Sequence, residues 1–532
     1  MIDMNKKLIS GLIVLIIAIL AVAAFSMGDN STSDKSNATE IAVAIDEEPE
    51  AGFDPLTGWG SAQSTEPLIQ SRLFRIDGNL TFINDLATDY KVADDLKSVD
   101  VTLREDVKFT DDTPLTAEDV VFTYKKAKEN GVIDLDSLED VSAVDDSHVK
   151  FTLTRPDSTF IFKLAKLGIV PSDSYNNQTY GENPVGSGPY KLAQWDKGQQ
   201  AIFEVNDNYY GEKPYYTKIT SVFLEEDAAV AAAEKGDVDI VKLSIANANK
   251  TIDGMQKVTI PSIDIRGISL PVVPNNGSIA ESGSPIGNDI TSDAAIRNAI
   301  NVGINRSEIV EGAYSGLGDP VYSCVPNYLP YSPNTEFEDG QVDQAKQILS
   351  DGGWKDSDGD GIVEKDGKKA SFELDYISED SLRQAITIQV AEQAKEFGIE
   401  ITPVGKTWDE IETTSGYSTP YMVGLGSADP YMVYAKFNSN LSGTGFNNPG
   451  YYNNSEFESK VSTALSQDLN SSYNTWSDAF KQTQDENPIV WVASQQYLFF
   501  VKDGIDMSAD THTLYPHGGD VWGNVLDWKA SS

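Results

Sequence analysis

The sequence predicts a mixed α/β fold, because segments with a strand pattern and segments with a helix pattern alternate along its 532 residues. Apolar and polar residues alternate over residues 101–104, as in a half-buried strand, and a polar turn follows at residues 111–114. A chain of this length can bury one large core or two or three smaller ones. The sequence shows no internal repeat.

The clearest predicted helix follows that turn. Thr116 has the position of an N-cap, and Asp119, three residues later, completes a variant of the capping box. Apolar residues then recur at helical spacing from Val120 to Ala127, and Gly131 ends the helix. A strand, a turn and a capped helix are therefore expected in this order.

Two further elements can be predicted from pattern alone. Residues Ile41–Ile45 form the first expected strand of the folded part. An alanine-rich helix begins near Asp227 and is closed by Gly236, and Val238–Val241 then alternate with aspartates as a strand. Helices and strands continue to interleave, which is the pattern of α/β lobes.

Several segments resemble, in the same order, the family 5 extracellular solute-binding proteins, which are the receptors of peptide and nickel ABC importers. The matching segments are LREDVKFTDDTPLTAEDVVFTY (103–124), GSGPYKLAQW (186–195), EVNDNYYGEKP (204–214), AAEKGDVDIV (232–241), IRNAINVGINRSEIVEGAYSG (296–316) and AKQILSDGGW (345–354). One departure is Asp112, which stands where the family usually has glycine. The resemblance covers roughly residues 40–530.

The resemblance implies a two-lobed periplasmic-binding-protein-like fold with an extra inserted subdomain in the first lobe. Lobe I would consist of residues 40–268 and 492–532, with the subdomain at about 65–183, and lobe II of residues 269–491. The chain would cross between the lobes twice. Two crossing segments make a hinge, and the ligand would bind in the cleft between the lobes.

Composition excludes some partners and sites. With 40 Lys and Arg against 82 Asp and Glu, the net charge of -42 opposes binding to nucleic acid or to an anionic membrane surface. The single cysteine, Cys324, excludes an internal disulfide and a site of several cysteines. We expect it to be a packing residue, and we expect no resident cofactor.

The N-terminus predicts export. Lys6 and Lys7 precede an apolar stretch from Leu8 to about Met27, as Sec-type export requires. The stretch approaches the roughly 20 residues that span a bilayer, so residues 1–27 are either a cleaved signal peptide or a retained anchor. Residues 28–39 read as a polar linker. The folded part would lie at the outer face of the cell membrane or in a periplasm-like space, anchored or released.

An acidic segment admits two interpretations. Asp356, Asp358 and Asp360 alternate before a glycine, like the first half of a calcium loop. The twelfth position is Gly367 rather than a bidentate glutamate, which removes much of the affinity for calcium. A structural turn is the favoured interpretation.

Asp429 carries the first hypothesis about the ligand. The resemblance to peptide receptors, which hold the ligand's ammonium group with an aspartate of the second lobe, places Asp429 at that position. The alternative role is a turn-forming aspartate before Pro430. The implied function is capture of an oligopeptide and its delivery to an ABC permease with its ATPase subunits.

His517 carries the alternative ligand, nickel or a nickel chelate. Residues 511–528 resemble the closing segment of metal-chelate receptors, and imidazole is a suitable nickel ligand. The opening at residues 48–60 also resembles that branch. Leu425 and Ala428, however, stand where related receptors have tryptophan and histidine. The peptide interpretation is therefore favoured over the nickel interpretation.

Five further side chains are candidates for the pocket. Trp59, Tyr431, Tyr451 and Trp491 lie at predicted loop or crossing positions where an aromatic ring can cover a ligand. Asn447 can pair with a ligand amide. Core packing is the alternative role for each aromatic residue.

A secreted hydrolase is a remote alternative. The three histidines are His148, His512 and His517, and none lies in an HExxH pattern or near a GxSxG elbow. A catalytic triad would have to assemble around Ser187 or Cys324. We therefore expect a receptor and no enzyme.

Overall fold

A computed structural model describes residues 39–46, 48–49, 51–57, 68–280, 283–412, 417–508, 517 and 521–531. The predicted export segment lies outside these residues, and so does Trp59. Within the described part of the chain, no helix combines the length and hydrophobicity that crossing a membrane requires.

The larger sheet holds eleven strands within the described residues. They are β1 (Glu40–Ile45), β8 (Tyr190–Asp196), β9 (Gln200–Val205), β10 (Lys218–Phe223), β11 (Ile240–Leu243), β12 (Met255–Ser269), β13 (Gly318–Pro320), β16 (Ser371–Ile377), β17 (Glu400–Lys406), β18 (Tyr421–Leu425) and β19 (Ile489–Lys502). Their order is β17, β16, β18, β12, β19, β11, β1, β10, β9 and β8, and β13 also pairs with β19. β1 is parallel to β10 and β11, and β16 is parallel to β17 and β18, whereas the other pairs are antiparallel.

A smaller antiparallel sheet lies within the predicted subdomain. Its strands are β4 (Ala87–Val92), β5 (Ser98–Leu103), β6 (Leu138–Asp145) and β7 (His148–Leu153), in the order β4, β5, β7 and β6. Three two-stranded pairs are β2 (Phe74–Ile76) with β3 (Phe82–Asn84), β14 (Glu364–Lys365) with β15 (Lys368–Lys369), and β20 (Ile505–Asp506) with β21 (Lys529–Ala530).

The helices cover both sheets. They are α1 (Ala117–Asn130), α2 (Phe160–Leu164), α3 (Glu226–Lys235), α4 (Ala294–Gly303), α5 (Arg306–Ala313), α6 (Val342–Asp351), α7 (Ser381–Glu396), α8 (Trp408–Glu410), α9 (Pro430–Tyr434), α10 (Ser455–Leu465) and α11 (Leu469–Glu486). Short 3₁₀ turns occupy Ile245–Asn247, Ser439–Leu441 and Val521–Asp527.

The predicted strand, turn and helix around residue 116 are confirmed. Helix α1 begins after Thr116, which forms a capping box with Asp119, and Gly131 ends it with φ of 67°. Asp112 also lies in the left-handed region, with φ of 70°. Glycine adopts this conformation without a steric cost, and aspartate tolerates it, so the turn is kept despite the replacement.

Buried residues form separate cores. One cluster, which extends from Leu56 to Tyr180, joins the smaller sheet to α1 and α2. Two clusters bury the β16, β17 and β18 side of the larger sheet under α4 to α7 and α9 to α11. Two more lie on the β1, β9 and β10 side. The chain thus builds several cores, as its length allows.

Strands β12 and β19 join the two ends of the larger sheet. Register shifts interrupt their pairing between Pro261 and Ile265 and again after Arg266. Such bulges bend a strand and increase its twist. The crossings expected near residues 268 and 491 fall inside these two strands.

The acidic segment after α6 brings four carboxylates together. Oxygens of Asp356, Asp358, Asp360 and Glu364 lie within 4.8 Å of one another. Nζ of Lys369 lies 3.0 Å from Asp358 and also bonds to Asp360. Because this ammonium group already neutralises two of the carboxylates, the arrangement supports the structural turn.

Candidate functional site

A buried ionic cluster lies where β12 and β19 lose their register. Its centre is the carboxylate of Asp264, which is 1% exposed. Oδ1 accepts hydrogen bonds from Arg266 and from Nδ1 of His517, the latter at 2.7 Å. Oδ2 accepts from Nε2 of Gln495 at 2.5 Å and from the hydroxyl of Tyr497 at 3.0 Å. One carboxylate thus joins both crossing strands to the C-terminal segment.

The bulge in β12 explains how a carboxylate reaches this position. The Ser262 hydroxyl donates to the carbonyl of Gln495 at 2.6 Å and accepts from the backbone N–H of Asp264 at 3.1 Å. These side-chain bonds replace the strand pairing that is lost after Pro261. Burial alone would raise the pKa of Asp264, but the charge of Arg266 and the contact with His517 hold that pKa well below its usual range.

His517 connects the C-terminal segment with strand β18. Its backbone N–H donates to the carbonyl of Gly426 at 3.1 Å, and its side chain is 38% exposed. Burial lowers the pKa of His517, Asp264 opposes this shift, and the charges of Arg266 and Arg383 add to it. These effects together favour the neutral imidazole over the charged one.

A second arginine stands beside the imidazole. Arg383 lies in the first turn of α7 and is ion-paired with the N-cap Asp380. Its guanidinium lies 5.3 Å from the ring centre of Trp408. A Cβ added to Gly424 would lie 2.9 Å from Nη2 of Arg383 and 2.4 Å from Cε1 of His517. Both side chains therefore approach the same point of β18, and the absence of a side chain at Gly424 makes room for them.

Sequence reasoning missed most of this cluster. Asp264 and Arg266 lie in the apolar run SIDIRGISL, and two charged residues inside a strand that is otherwise expected to be buried are a signal for a polar site. Nε of Arg266 and Nε of Arg383 are both buried without a hydrogen-bond partner in the described residues. Tyr328, 58% exposed, donates its hydroxyl to the Ser262 carbonyl at 2.8 Å beside this cluster.

Asp429 lies elsewhere, as the N-cap of α9. Oδ1 accepts from the backbone N–H of Tyr431 at 2.9 Å, whereas Oδ2 is buried and has no hydrogen-bond partner in the part of the chain described. Burial raises the pKa of Asp429 to about 6, although Lys163 and Lys166 oppose the shift. Asp429 therefore has the turn-forming role through Oδ1, whereas Oδ2 makes no hydrogen bond within the described residues.

Tyr431 faces the subdomain. Its hydroxyl accepts a hydrogen bond from Arg155 at 3.0 Å, and Nζ of Lys163 lies 4.5 Å from its ring centre. Nearby, Ser158 donates its backbone N–H to the carbonyl of Leu465 at 3.1 Å. Residues around α2 thus contact α9 and the end of α10, so the subdomain touches the part of the chain expected to be lobe II.

The remaining predicted pocket residues have different surroundings. Trp491 is 3% exposed in the core, where its ring lies against Gly267. Asn447 and Tyr451 are half-buried in one loop, and Tyr451 has φ of 58° with its ring 6.0 Å from that of Tyr417. The structure thus brings Asp429 next to Tyr431 and Asn447 near Tyr451, with His517 in the separate ionic cluster.

Ser187 and Cys324 are both buried. The hydroxyl of Ser187 has no hydrogen-bond partner in the described residues, and burial raises the pKa of the Cys324 thiol. Burial of Cys324 agrees with the expected packing role. His148 is bonded to Asp145 on the surface.

Comparison with known proteins identifies the family. Residues 81–448 match the family described as bacterial extracellular solute-binding proteins, family 5 Middle. Protein XP55 of Streptomyces lividans is 32% identical over 433 residues, which cover 78% of this chain and 76% of that protein. The oligopeptide-binding protein AppA of Bacillus subtilis (strain 168) is 30% identical over 433 residues, which cover 75% of this chain and 77% of AppA.

Solved structures share the fold. NikZ from Campylobacter jejuni, in complex with Ni(L-His), has a TM-score of 0.76 at 21% identity over 93% of this chain and 100% of NikZ. AppA from Bacillus subtilis, in complex with a nonapeptide, has a TM-score of 0.71 at 23% identity over 93% of this chain and 99% of AppA. The α/β architecture is thus the two-lobed fold of periplasmic binding proteins. The chain belongs to the family 5 bacterial extracellular solute-binding proteins.

Proposed function

We propose that this protein is the extracytoplasmic receptor of an ABC importer, and that it captures an oligopeptide between two hinged lobes and delivers it to the membrane permease and its ATPase subunits. Membership of a solute-binding family supports the receptor role. The relationship to the oligopeptide-binding protein AppA, at 30% identity, supports a peptide ligand.

The unused oxygen of Asp429 is the observation that carries the peptide proposal. A buried carboxylate oxygen without a hydrogen bond is costly, and an ammonium group supplies the charge and the donors that it lacks. Lys163 and Lys166 are close enough to oppose the rise in its pKa, but within the described residues neither forms an ion pair with it. The ligand's terminal ammonium would complete this site, with Tyr431 beside it.

A nickel chelate is the second candidate, and the position of His517 favours it. Its Nδ1 is bonded to Asp264, whereas Nε2 has no hydrogen-bond partner in the part of the chain described. A neutral imidazole with one free nitrogen can complete the coordination of nickel held by a small chelator. The structural relative NikZ was solved with Ni(L-His).

Closure of the lobes would use the bent pair of crossing strands. We assign residues 40–268 and 492–532 to lobe I, with a subdomain at about 65–183, and residues 269–491 to lobe II. The interrupted register of β12 and β19 supports a hinge there. Small-angle scattering with and without a tight ligand is the test, since an unchanged radius of gyration would contradict closure.

The membrane link is the N-terminal segment. Residues 1–27 would act as a signal peptide or as an anchor, and the polar linker of residues 28–39 would hold the lobes off the membrane. We assign no catalytic activity to the protein, because it belongs to a family of solute-binding proteins.

Native mass spectrometry of gently purified residues 40–532 tests the ligand class directly. A peptide that is released on denaturation, with a mass equal to the difference between bound and free protein, is the expected result. A nickel isotope pattern in the bound species would favour the chelate instead. A protein that neither retains nor accepts a peptide would overturn the proposal.

A further inference from the structure

We infer that Asp264 is a positioning residue for His517: it holds the imidazole as the tautomer protonated at Nδ1 and leaves Nε2 as a lone-pair donor for the metal ion of a chelate ligand. The use of that lone pair rests on the nickel-chelate candidate proposed above. The tautomer follows from contacts within the protein and needs no ligand.

The two groups that face Nδ1 decide where the proton lies. Oδ1 of Asp264 is 2.7 Å from Nδ1, and this carboxylate, which is ion-paired with Arg266, can only accept a hydrogen bond. Nη1 of Arg266 is 3.3 Å from Nδ1 and can only donate a hydrogen bond. The shorter, charge-assisted contact is the stronger one, so Nδ1 of His517 carries the hydrogen.

The acceptor is fixed in place. Oδ2 of Asp264 accepts from Gln495 at 2.5 Å and from Tyr497 at 3.0 Å, so the plane of the carboxylate cannot turn without breaking two buried hydrogen bonds. Both donors belong to β19. The position of Oδ1, and with it the position of the imidazole, is therefore set by the pairing of β12 with β19.

The ring itself is also held. The backbone N–H of His517 donates to Gly426 at 3.1 Å, and Cε1 lies against Gly424, where a Cβ would be only 2.4 Å away. Nδ1 thus faces Asp264 and Cε1 faces Gly424, so the ring edge directed away from both contacts is the one that carries Nε2. The side chain as a whole retains 38% exposure.

This arrangement is the one that metal-binding histidines use. A histidine that ligates a metal with one nitrogen almost always donates its other ring N–H to a carboxylate, a carbonyl or water, which fixes the tautomer and the ring orientation. Loss of such a partner lowers metal affinity by about 10- to 100-fold. Asp264 provides the carboxylate form of this contact to His517.

Nitrogen NMR of the ligand-free, full-length protein with 15N-labelled histidine tests the tautomer. The variant His517→Gln assigns the signals. In the wild type at neutral pH, we expect a protonated Nδ1 and an unprotonated Nε2 for His517. In Asp264→Asn the ionic acceptor is lost, and the protonated population should shift towards Nε2. Tyr497→Phe is the matched control, since it removes a hydrogen bond to the same carboxylate but keeps the Nδ1 contact and the tautomer.

A binding arm separates the tautomer from its use. With Ni²⁺ and excess L-histidine as the probe, calorimetry should show a fall in affinity of about 10- to 100-fold for Asp264→Asn and a much smaller change for Tyr497→Phe. If the wild type has the expected tautomer but binds no nickel in this form, the positioning role stands and the nickel-chelate candidate is rejected.

Two outcomes would overturn the inference. One is a wild-type His517 protonated at Nε2 alone, and the other is a folded Asp264→Asn protein with an unchanged tautomer. If Asp264→Asn fails to fold because Arg266 loses its partner, the wild-type spectrum alone decides between the two tautomers.

Discussion

Nδ1 of His517 lies 2.7 Å from Oδ1 of Asp264, although 253 residues separate the two in the chain. Asp264 belongs to β12 at the point where that strand bends away from β19. Contact of a ligand with His517 would therefore act on the residues that the proposed hinge between the lobes would use. A hinge consists of a few residues whose backbone angles change when the lobes close. A ligand that binds next to those residues, and prefers the closed state, would link binding to closure.

Asp429 and His517 separate the two ligand classes. If Asp429 holds a peptide ammonium group, Asp429→Asn leaves a buried cation unpaired at a cost of about 2 to 5 kcal/mol. Peptide affinity should then fall by well over tenfold, and His517→Ala should change it little. If the ligand is a nickel chelate, His517→Ala should lower the affinity strongly and Asp429→Asn should change it little. Calorimetry of both variants with peptides and with nickel and histidine is the measurement, and two variants that bind like the wild type would show that neither residue lies in the pocket.

Stability should depend on the ionisation of Asp429. Its pKa is about 6 in the folded protein against an ordinary value of 3.8, so the folded state binds the proton more tightly than the unfolded state. The ionised form therefore costs stability above the folded pKa, and this cost is relieved as pH falls. From about pH 7.5 to about pH 5 the wild type should gain about 1 kcal/mol relative to Asp429→Asn. Urea unfolding at both pH values measures the difference, and a constant difference would contradict it.

Gly424 should be sensitive to a single methyl group. In Gly424→Ala the new Cβ would lie 2.4 Å from Cε1 of His517 and 2.9 Å from Nη2 of Arg383, so both side chains must move. We expect the affinity for nickel with L-histidine to fall by more than about tenfold, while the free energy of unfolding changes by about 1 to 3 kcal/mol. Gly405→Ala, at an exposed position of the edge strand β17 where the nearest atom is at 3.3 Å, is the control. If Gly424→Ala and Gly405→Ala bind nickel with L-histidine equally well, His517 is not part of a nickel-chelate site.

The contact between the subdomain and α9 should favour the closed lobes. Arg155→Ala removes the 3.0 Å hydrogen bond to Tyr431, so ligand should dissociate faster, by a factor of about 2 to 10. Arg104→Ala is the matched control, because its side chain contacts Asp106 and Tyr210 of the same lobe. Surface plasmon resonance measures both rates. If Arg155→Ala releases ligand at the same rate as Arg104→Ala, the contact between Arg155 and Tyr431 does not stabilise the closed lobes.

The folded part should be accessible from outside the cell. We expect Lys6 and Lys7 with the following apolar stretch to direct export, so protease added to intact cells should digest residues 40–532. Full protection would contradict export. Amino-terminal sequencing of the mature protein distinguishes a cleaved signal peptide from an anchor.

Local sequence determined the elements whose signals lie within a few residues. The capping box of Thr116 and Asp119 and the left-handed Gly131 fix both ends of α1, because N-cap and C-cap bonds join near neighbours. The strand at Ile41–Ile45 was also predicted, to within one residue of β1. The quoted family segments supplied the two-lobed architecture, which periodicity alone could not provide.

Tertiary structure alone decided which polar residues meet. Asp264, Gln495 and His517 come from two strands and the C-terminal segment, and no local pattern in the sequence shows that they meet. A buried carboxylate requires donors, and those donors are known only after the register of β12 and β19 is set. Asp429 shows the same limit, since its sequence predicts both a helix cap and an ammonium site. Its burial and its unused oxygen come from the packing of α9 against the subdomain, because desolvation depends on neighbours that are distant in the chain.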